Sequence, residues 1–294
     1  MSNSIISLSL AFVTQQVIIY VGSFLFVAGL IGNSLTLVVL LSLRTFRQNS
    51  CAFYLSIMSI VNTFYLFIGL FTFIMINGFT INWLNMSLFY CKFRPFYVQF
   101  CILISFSCMC LATIDQFLAT CSKIRWQQYC NIKLARYMLI GTAIISILHG
   151  IPSILYYGHI PSSMTNQSTC VITNAVFQTY FTVFQVPVLT STLPVIIMII
   201  FGILAYRNVQ QIAYRTIPLI RRELDKQLTS MVLVQVFYDA TAVIPSAIVS
   251  IFIAIYNISN NSLMAAQWSR ISTLAIIIYY FRLVVNMNYF KMIL

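Results

Sequence analysis

The sequence predicts a bundle of seven membrane-spanning α-helices, and three features of the chain indicate this fold class. Its 294 residues are 61% hydrophobic and only 7% charged, whereas about a quarter of an average soluble chain is charged. Apolar runs of about 20 residues or more, enough for a helix to cross the hydrocarbon layer, recur to the end of the chain. The basic residues are concentrated in alternate loops. These features exclude soluble, fibrous and disordered proteins and predict one integral membrane domain over residues 1–294.

The predicted spans are long continuous apolar runs rather than short segments of alternating hydrophobicity. Transmembrane β-strands alternate over about ten residues, and a helix satisfies its own backbone hydrogen bonds in lipid. The seven predicted helices cover residues 17–43, 52–77, 93–120, 134–157, 178–206, 228–256 and 267–290. The segment before the first of them lacks a basic region and a small-residue cleavage site, so we expect the first helix to act as its own uncleaved targeting signal.

The loops predict how these helices are oriented, because cytoplasmic loops retain an excess of Lys and Arg. Twelve of the sixteen basic residues lie on one side of the predicted bundle: Arg44, Arg47, Lys123, Arg125, Lys133, Arg136, Arg207, Arg215, Arg221, Arg222, Lys226 and Lys291. The other side has only Lys92, Arg94 and Arg270, and Arg282 lies inside the last span. We therefore expect an outer N-terminus and a cytosolic C-terminus. The net charge of +12 then reflects topology and contact with the anionic lipid bilayer rather than nucleic acid.

Glycosylation acceptors indicate the same orientation. Asn-x-Ser/Thr acceptors are usable only on the lumenal side, and the chain has four, at Asn85, Asn166, Asn257 and Asn260. All four fall in loops that the basic residues assign to the outside.

Short motifs in the spans follow one another in a fixed order. They are Gly32-Asn33, Leu55 with Met58-Ser59 and Asn62, Cys91, Asp115-Gln116-Phe117, His149-Gly150-Ile151-Pro152, Pro194, Pro245 and Asn286-Met287-Asn288-Tyr289-Phe290. Their order and spacing resemble those of the rhodopsin-like (class A) G-protein-coupled receptors, in particular divergent invertebrate members, over nearly the whole chain. The resemblance implies a multi-pass plasma-membrane receptor that binds an extracellular ligand and relays it to a heterotrimeric G protein.

The resemblance also suggests a disulfide between Cys91 and Cys170. These are the only two cysteines on the predicted oxidising side, so they can pair while the other six remain thiols. Such a bridge would hold the outer loop over the mouth of the bundle. The alternative is a pair of free buried cysteines.

Polar residues inside the spans are candidates for a conformational switch. The resemblance places Asn33, Asn62 and Asn286 in one central cluster, with packing as the alternative role. Asp239 and Arg282 are ionisable residues at membrane depth, where an unpaired charge costs at least about 3 kcal/mol. We expect an ion pair between them; the alternative is a neutral Asp239 and an Arg282 that extends toward the membrane interface. Helix kinks are expected at Pro152, Pro194 and Pro245.

One departure from the family pattern bears on G-protein coupling. The family has Arg after the acid of the third span, whereas this chain has Gln116 after Asp115. Gln cannot make the charge-assisted contacts of Arg. A protein that binds a ligand without signalling is therefore an alternative to a coupled receptor.

The predicted ligand pocket is mildly polar and aromatic. The resemblance places Val98, Gln99, Ser246, Ser250, Tyr279 and Tyr280 around it. Val98 stands where an amine receptor has an acid, and Tyr280 stands where a retinal protein has a Schiff-base lysine. These residues suit a small peptide, a lipid or an odorant-like ligand.

Two other function classes are less consistent with the residues. A channel or transporter would show repeats or paired broken helices, and the chain has neither. An enzyme is not expected, because four acidic residues and two histidines form no nucleophile–base set and no metal cluster. No cofactor or metal is expected.

Overall fold

The computed structural model describes residues 2–42, 44–161, 168–212, 219–256 and 262–284. These residues form a bundle of seven long helical spans, so the predicted fold class is confirmed. Spans one to seven are Ser2–Ser42, Ser50–Asn77, Leu88–Thr120, Ile132–Tyr156, 175–212, Leu219–Tyr256 and Ser262–Phe281. Six of them are long and apolar enough to cross a bilayer, and the apolar part of the seventh, Arg270–Phe281, is shorter.

Short elements connect the spans or interrupt them. Single-turn helices lie at Arg44–Arg47, Trp83–Met86 and Ile124–Gln127, and an antiparallel hairpin is formed by strands β1 (Tyr157–Pro161) and β2 (Ser168–Ile172). Span two consists of Ser50–Tyr65, a π-helical turn at Leu66–Leu70, and Phe71–Asn77. Span five consists of Ala175–Tyr180, a π-helical segment at Phe181–Thr192, and Leu193–Ile212. We call the end of the bundle that holds the hairpin the hairpin end, and the other the opposite end.

Side-chain caps fix where four of the spans begin. An Asn or Ser before the first turn accepts a hydrogen bond from a backbone N–H that has no partner within the helix. The caps are Asn49 before span two, Ser87 before span three, Asn131 before span four and Asn174 before span five. Each cap is a short polar residue next to an apolar run.

Several spans begin earlier than the sequence predicts. Span one begins at Ser2 instead of 17, span three at Leu88 instead of 93, and span six at Leu219 instead of 228. Polar and charged residues in these segments lower the hydropathy, but they do not break a helix. The segment 219–227 illustrates this, because it is rich in charged residues and still forms the start of span six.

Span three lies at the centre of the bundle. One buried cluster joins it to spans two, four, five and six, with Leu55, Met109, Met198 and Met231 among its members. A second cluster joins spans one, two and seven with part of span three. The outer surface is apolar as well, since large side chains such as Phe24, Ile145 and Val176 are exposed. That arrangement is expected of a protein whose solvent is lipid.

The predicted proline positions lie in different settings. Pro152 and Pro245 lie inside the α-helices of spans four and six. Pro194 is the second residue of the α-helix Leu193–Ile212, which follows the π-helical segment of span five. Pro95 in span three and Pro187 in span five are further interior prolines that we did not single out from the sequence.

Span seven ends earlier than predicted among the described residues. Its helix stops at Phe281, and residues 282–284 form a turn. Side chains from two other spans bond carbonyls of this turn. Asn33 Nδ2 donates to Leu283 O at 2.9 Å, and Gln235 Nε2 donates to Arg282 O at 3.4 Å. The rest of the predicted span, 285–290, lies outside the described residues.

We expect Asn33→Ala to destabilise the protein by about 1–2 kcal/mol, because Leu283 O then loses a buried hydrogen bond between spans one and seven. The measurement is thermal unfolding of the protein in lipid nanodiscs. Ser59→Ala is the matched control, since Ser59 is also buried but donates only within its own helix, to Leu55 O. Equal losses for the two variants would contradict the role of Asn33.

Candidate functional site

A cavity of about 530 Å³ lies beneath the hairpin. Its walls come from spans two, three, five, six and seven, and it also contacts Tyr157 and Cys170 of the hairpin. Small-molecule sites generally measure about 300–1,000 Å³ and are lined mainly by apolar side chains. The cavity therefore has the size and position of a site for a small ligand.

The six residues that we predicted as a ligand pocket all line this cavity. Span three contributes two of them, span six two and span seven two: Val98, Gln99, Ser246, Ser250, Tyr279 and Tyr280. Ser246 Oγ and Ser250 Oγ donate to carbonyls of their own helix, Val243 O at 2.8 Å and Ser246 O at 2.8 Å. The two serines therefore use their hydroxyl protons locally.

The hairpin covers the cavity and is fixed to the bundle at several points. A disulfide joins Cys170 to Cys91 at the start of span three. Cys170 N donates to Asn85 Oδ1 at 3.1 Å, and a ring nitrogen of His159 lies 2.7 Å from Leu84 O. Burial raises the pKa of Tyr157 to about 12, so its phenol is neutral at physiological pH.

Three polar side chains of the cavity lining have buried atoms without a hydrogen-bond partner among the described residues. They are Nε of Arg94, Nε2 of Gln99 and the hydroxyl of Tyr279. The sequence places Arg94 at the outer end of the predicted third span, but it does not indicate that this side chain lines the cavity. A usable signal was its spacing from Cys91, because three residues are almost one helical turn.

A buried charged network lies next to the cavity, on its side toward the opposite end. Asp239 of span six and Arg282, directly after span seven, are only 1% and 2% exposed. The guanidinium carbon of Arg282 lies 4.2 Å from the ring centre of Phe106 and 4.9 Å from that of Tyr279. Because Tyr279 lines the cavity, this stacking connects the cavity directly to the buried charge.

The direct ion pair that we expected between Asp239 and Arg282 is not formed by these two described side chains. Instead Gln235 Nε2 donates to Asp239 Oδ1 at 3.1 Å and to the backbone oxygen of Arg282 at 3.4 Å. Gln235 lies four residues before Asp239, so both are on one helix face. The opposite charges still interact through space, while the aromatic faces stabilise the guanidinium by up to about 2 kcal/mol.

The asparagines predicted to form one cluster make separate contacts in the described part of the chain. Asn33 connects span one to the turn after span seven. Asn62 Oδ1 accepts a hydrogen bond from Ser105 Oγ at 2.7 Å, which connects spans two and three. Asn286 lies outside the described residues.

The motif Asp115-Gln116 lies at the opposite end and contacts two neighbouring spans. Ser50 Oγ donates to the carboxylate of Asp115 and lies 2.7 Å from both of its oxygens. Gln116 is fully buried, and its Oε1 accepts from Thr229 Oγ1 of span six at 3.0 Å. Spans three and six are therefore joined by a hydrogen bond between neutral groups.

The two ends of the bundle differ in charge. Exposed basic side chains surround the opposite end, among the described residues Arg47, Lys123, Arg125, Lys133, Arg136, Arg207 and Lys226. Of the four predicted glycan acceptors, Asn85 is at the hairpin end, and Asn166, Asn257 and Asn260 lie outside the described residues. Within the described part of the chain no group of His, Cys, Asp and Glu side chains is suited to hold a metal ion.

We expect Asp239→Asn and Arg282→Gln each to destabilise the protein by about 3–5 kcal/mol, because each leaves an opposite charge buried without compensation. The double variant should be more stable than the sum of these losses predicts, because it leaves no uncompensated charge. Thermal unfolding of the four proteins in nanodiscs measures this coupling. Additive losses would show that the two charges do not stabilise each other.

Comparison with known proteins agrees with this architecture. A family model described as "7 transmembrane receptor (rhodopsin family)" matches residues 32–286. No individual curated protein matches the chain. The matched range extends from Gly32 in span one to the Asn286 motif, so it includes every span that lines the cavity.

Proposed function

The chain belongs to the rhodopsin family of seven-transmembrane receptors, and we propose that it binds a small extracellular ligand in the cavity and relays binding to a G protein. The observation that carries this proposal is the cavity of about 530 Å³ beneath the disulfide-linked hairpin. It is lined by five of the seven spans, so a bound ligand contacts the elements that would have to move. The receptor would act at the plasma membrane.

In this proposal the hairpin end faces the outside of the cell and the opposite end faces the cytosol. The exposed basic residues at the opposite end support this orientation, because positive charge is retained on the cytoplasmic side. The disulfide supports it as well, since disulfides persist in oxidising compartments. The same basic surface then serves for contact with a G protein or with anionic lipid.

The orientation predicts that Asn85 carries an N-linked glycan in cells. Replacing Asn85 by Gln should therefore remove a glycosidase-sensitive increase in apparent mass on electrophoresis. Variants with Gln at all acceptors except Asn85 isolate its contribution. An N-terminal epitope should be detected on intact cells and a C-terminal epitope only after permeabilisation; the reverse result would refute the orientation.

The buried network would transmit the conformational change caused by ligand binding to the opposite end of the bundle. Tyr279 lines the cavity and packs on the Arg282 guanidinium, which lies next to Gln235 and Asp239 of span six. A displacement of Tyr279 thus acts on the contact between spans six and seven. The bond between Gln116 and Thr229 would hold the cytoplasmic ends of spans three and six together in the resting state.

We expect Thr229→Val to raise basal G-protein activation by about fivefold, because loss of one hydrogen bond of about 1 kcal/mol shifts a two-state equilibrium by that factor. Activation is measured in cells across the G-protein classes at matched surface expression. Thr241→Val is the matched control. Thr241 is on the same helix, but it is exposed and donates to Tyr238 O of its own span.

A second function, ligand binding without signalling, is favoured by one observation. Gln116 takes the place of the family's Arg and is fully buried in a neutral hydrogen bond. Absence of activation for the wild type, Thr229→Val and Gln116→Arg alike, at normal surface expression, would contradict coupling and support this second function. Activation by Gln116→Arg alone would identify Gln116 as a residue that disables an otherwise intact switch.

A further inference from the structure

Arg94 places a positive charge in the cavity lining, and the described residues do not pair its Nε. Its Nη2 donates to Gly69 O at 3.2 Å, within the π-helical turn of span two, while Nε is buried without a hydrogen-bond partner. Arg94 is half-buried, and a buried donor atom such as its Nε is costly to leave without a hydrogen-bond partner. We propose that the cavity binds a small amphiphile with a single anionic head group, either a carboxylate or a phosphate, and that Arg94 binds this head group. This inference rests on the proposed function of the cavity as the ligand site.

Among the described side chains no acid neutralises Arg94. The chain has four acids, and the described residues that line the cavity include none of them. Asp115 is bonded to Ser50 at the opposite end, and Asp239 is bonded to Gln235. The other two, at 223 and 225, precede Ser246 on the helix of span six by more than 20 residues, which is roughly 30 Å.

The tyrosine phenols near Arg94 do not replace an anion. Burial raises the pKa of Tyr157 to about 12, although the charge of Arg94 opposes the rise, so the phenol keeps its proton at physiological pH. A neutral phenol can accept a hydrogen bond, but it does not cancel the charge. The ligand is therefore left to supply the negative charge.

The other polar groups of the lining also favour a ligand that accepts hydrogen bonds. Gln99 Nε2 and the hydroxyl of Tyr279 have no partner among the described residues, and both can donate. Gln99 lies five residues after Arg94, about 7.5 Å further along the axis of span three. A head group at Arg94 with an acceptor atom directed at Gln99 would use both donors.

The rest of the lining defines the remainder of the ligand. Side chains from five spans present apolar surface to the cavity: Phe73, Ile102, Val186, Val249 and Ile276. A hydrocarbon or aromatic tail gains about 25 cal/mol for each Å² of apolar surface that it buries. A cationic amine does not fit, because its ammonium group would place a like charge beside Arg94.

The test compares acids with their neutral counterparts on the full chain in zwitterionic nanodiscs. Straight-chain carboxylic acids of medium and long chain are titrated beside the primary amides of the same chains. Stability is followed with a thiol-reactive dye, because the buried thiols of Cys51, Cys101 and Cys108 become reactive on unfolding. The concentration dependence of the unfolding midpoint gives the apparent Kd.

We expect the acid to bind at least about tenfold more tightly than the amide with the same hydrocarbon chain, because a hydrogen bond between two charged groups is stronger than one to a neutral group. Arg94→Gln should abolish this preference, Arg94→Lys should keep part of it, and Lys92→Gln should leave it intact. Lys92 is the matched control, because it lies two residues away on the same helix and does not line the cavity. If Arg94→Gln fails to fold, the acid–amide comparison in the wild type still decides.

Nanodiscs that contain anionic phospholipid distinguish the two sources of the head group. Stabilisation by the bilayer alone, lost in Arg94→Gln, would identify a membrane lipid as the ligand, whereas stabilisation by added acids alone would identify a soluble one. Equal affinity for acids and amides, no stabilisation by any anion, or a preference that survives in Arg94→Gln would overturn the proposal. Because no G protein is present, these results are independent of whether the receptor couples.

Discussion

The hydrocarbon layer offers no water to hydrogen bond, and this constraint determines what every polar group in the seven spans does. Backbone groups are paired within helices, and most hydroxyls donate to a carbonyl of their own helix, as Ser56 does to Ala52 and Thr63 to Ser59. Few polar side chains are then left to connect one span with another. The interhelical bonds made by Asn33, Asn62, Gln116 and Gln235 therefore carry much of the specificity of the bundle, because apolar packing alone does not distinguish a helix neighbour from lipid.

The sequence was sufficient for the number and order of the spans, because each predicted span is a long apolar run bounded by more polar loops. The resemblance to the receptor family also predicted Val98, Ser250 and Tyr280 around one pocket, and the three side chains line the cavity. Hydropathy did not locate the start of span six, where charged residues continue the helix. Nor did it indicate that Arg94, at the outer end of the predicted third span, lines the cavity.

The ion pair expected between Asp239 and Arg282 shows a different limit of sequence reasoning. Proximity of the two residues follows from the alignment of spans six and seven, but the choice of partner depends on local competition. Gln235 occupies the carboxylate, and the rings of Phe106 and Tyr279 take the guanidinium. Such competition is decided by side-chain geometry in the packed bundle, which periodicity does not encode. The outcome links the charge to Tyr279, and thus to the cavity, instead of isolating it between two helices.

Arg94 and Arg282 are compensated in unequal ways, and the difference bears on how a ligand would act. Arg282 has two aromatic faces and the nearby charge of Asp239, all supplied by the protein. Arg94 has one backbone carbonyl, Gly69 O, and an Nε that no described residue pairs. An anion at Arg94 would supply the missing compensation. It would also alter the hydrogen bond from Arg94 to Gly69 O in the π-helical turn of span two. Tyr65 and Tyr280 pack together next to this turn. In the proposed receptor, a bound ligand would therefore act on the contact between spans two, three and seven. Tyr280 at this contact is the chain neighbour of Tyr279, which packs on Arg282.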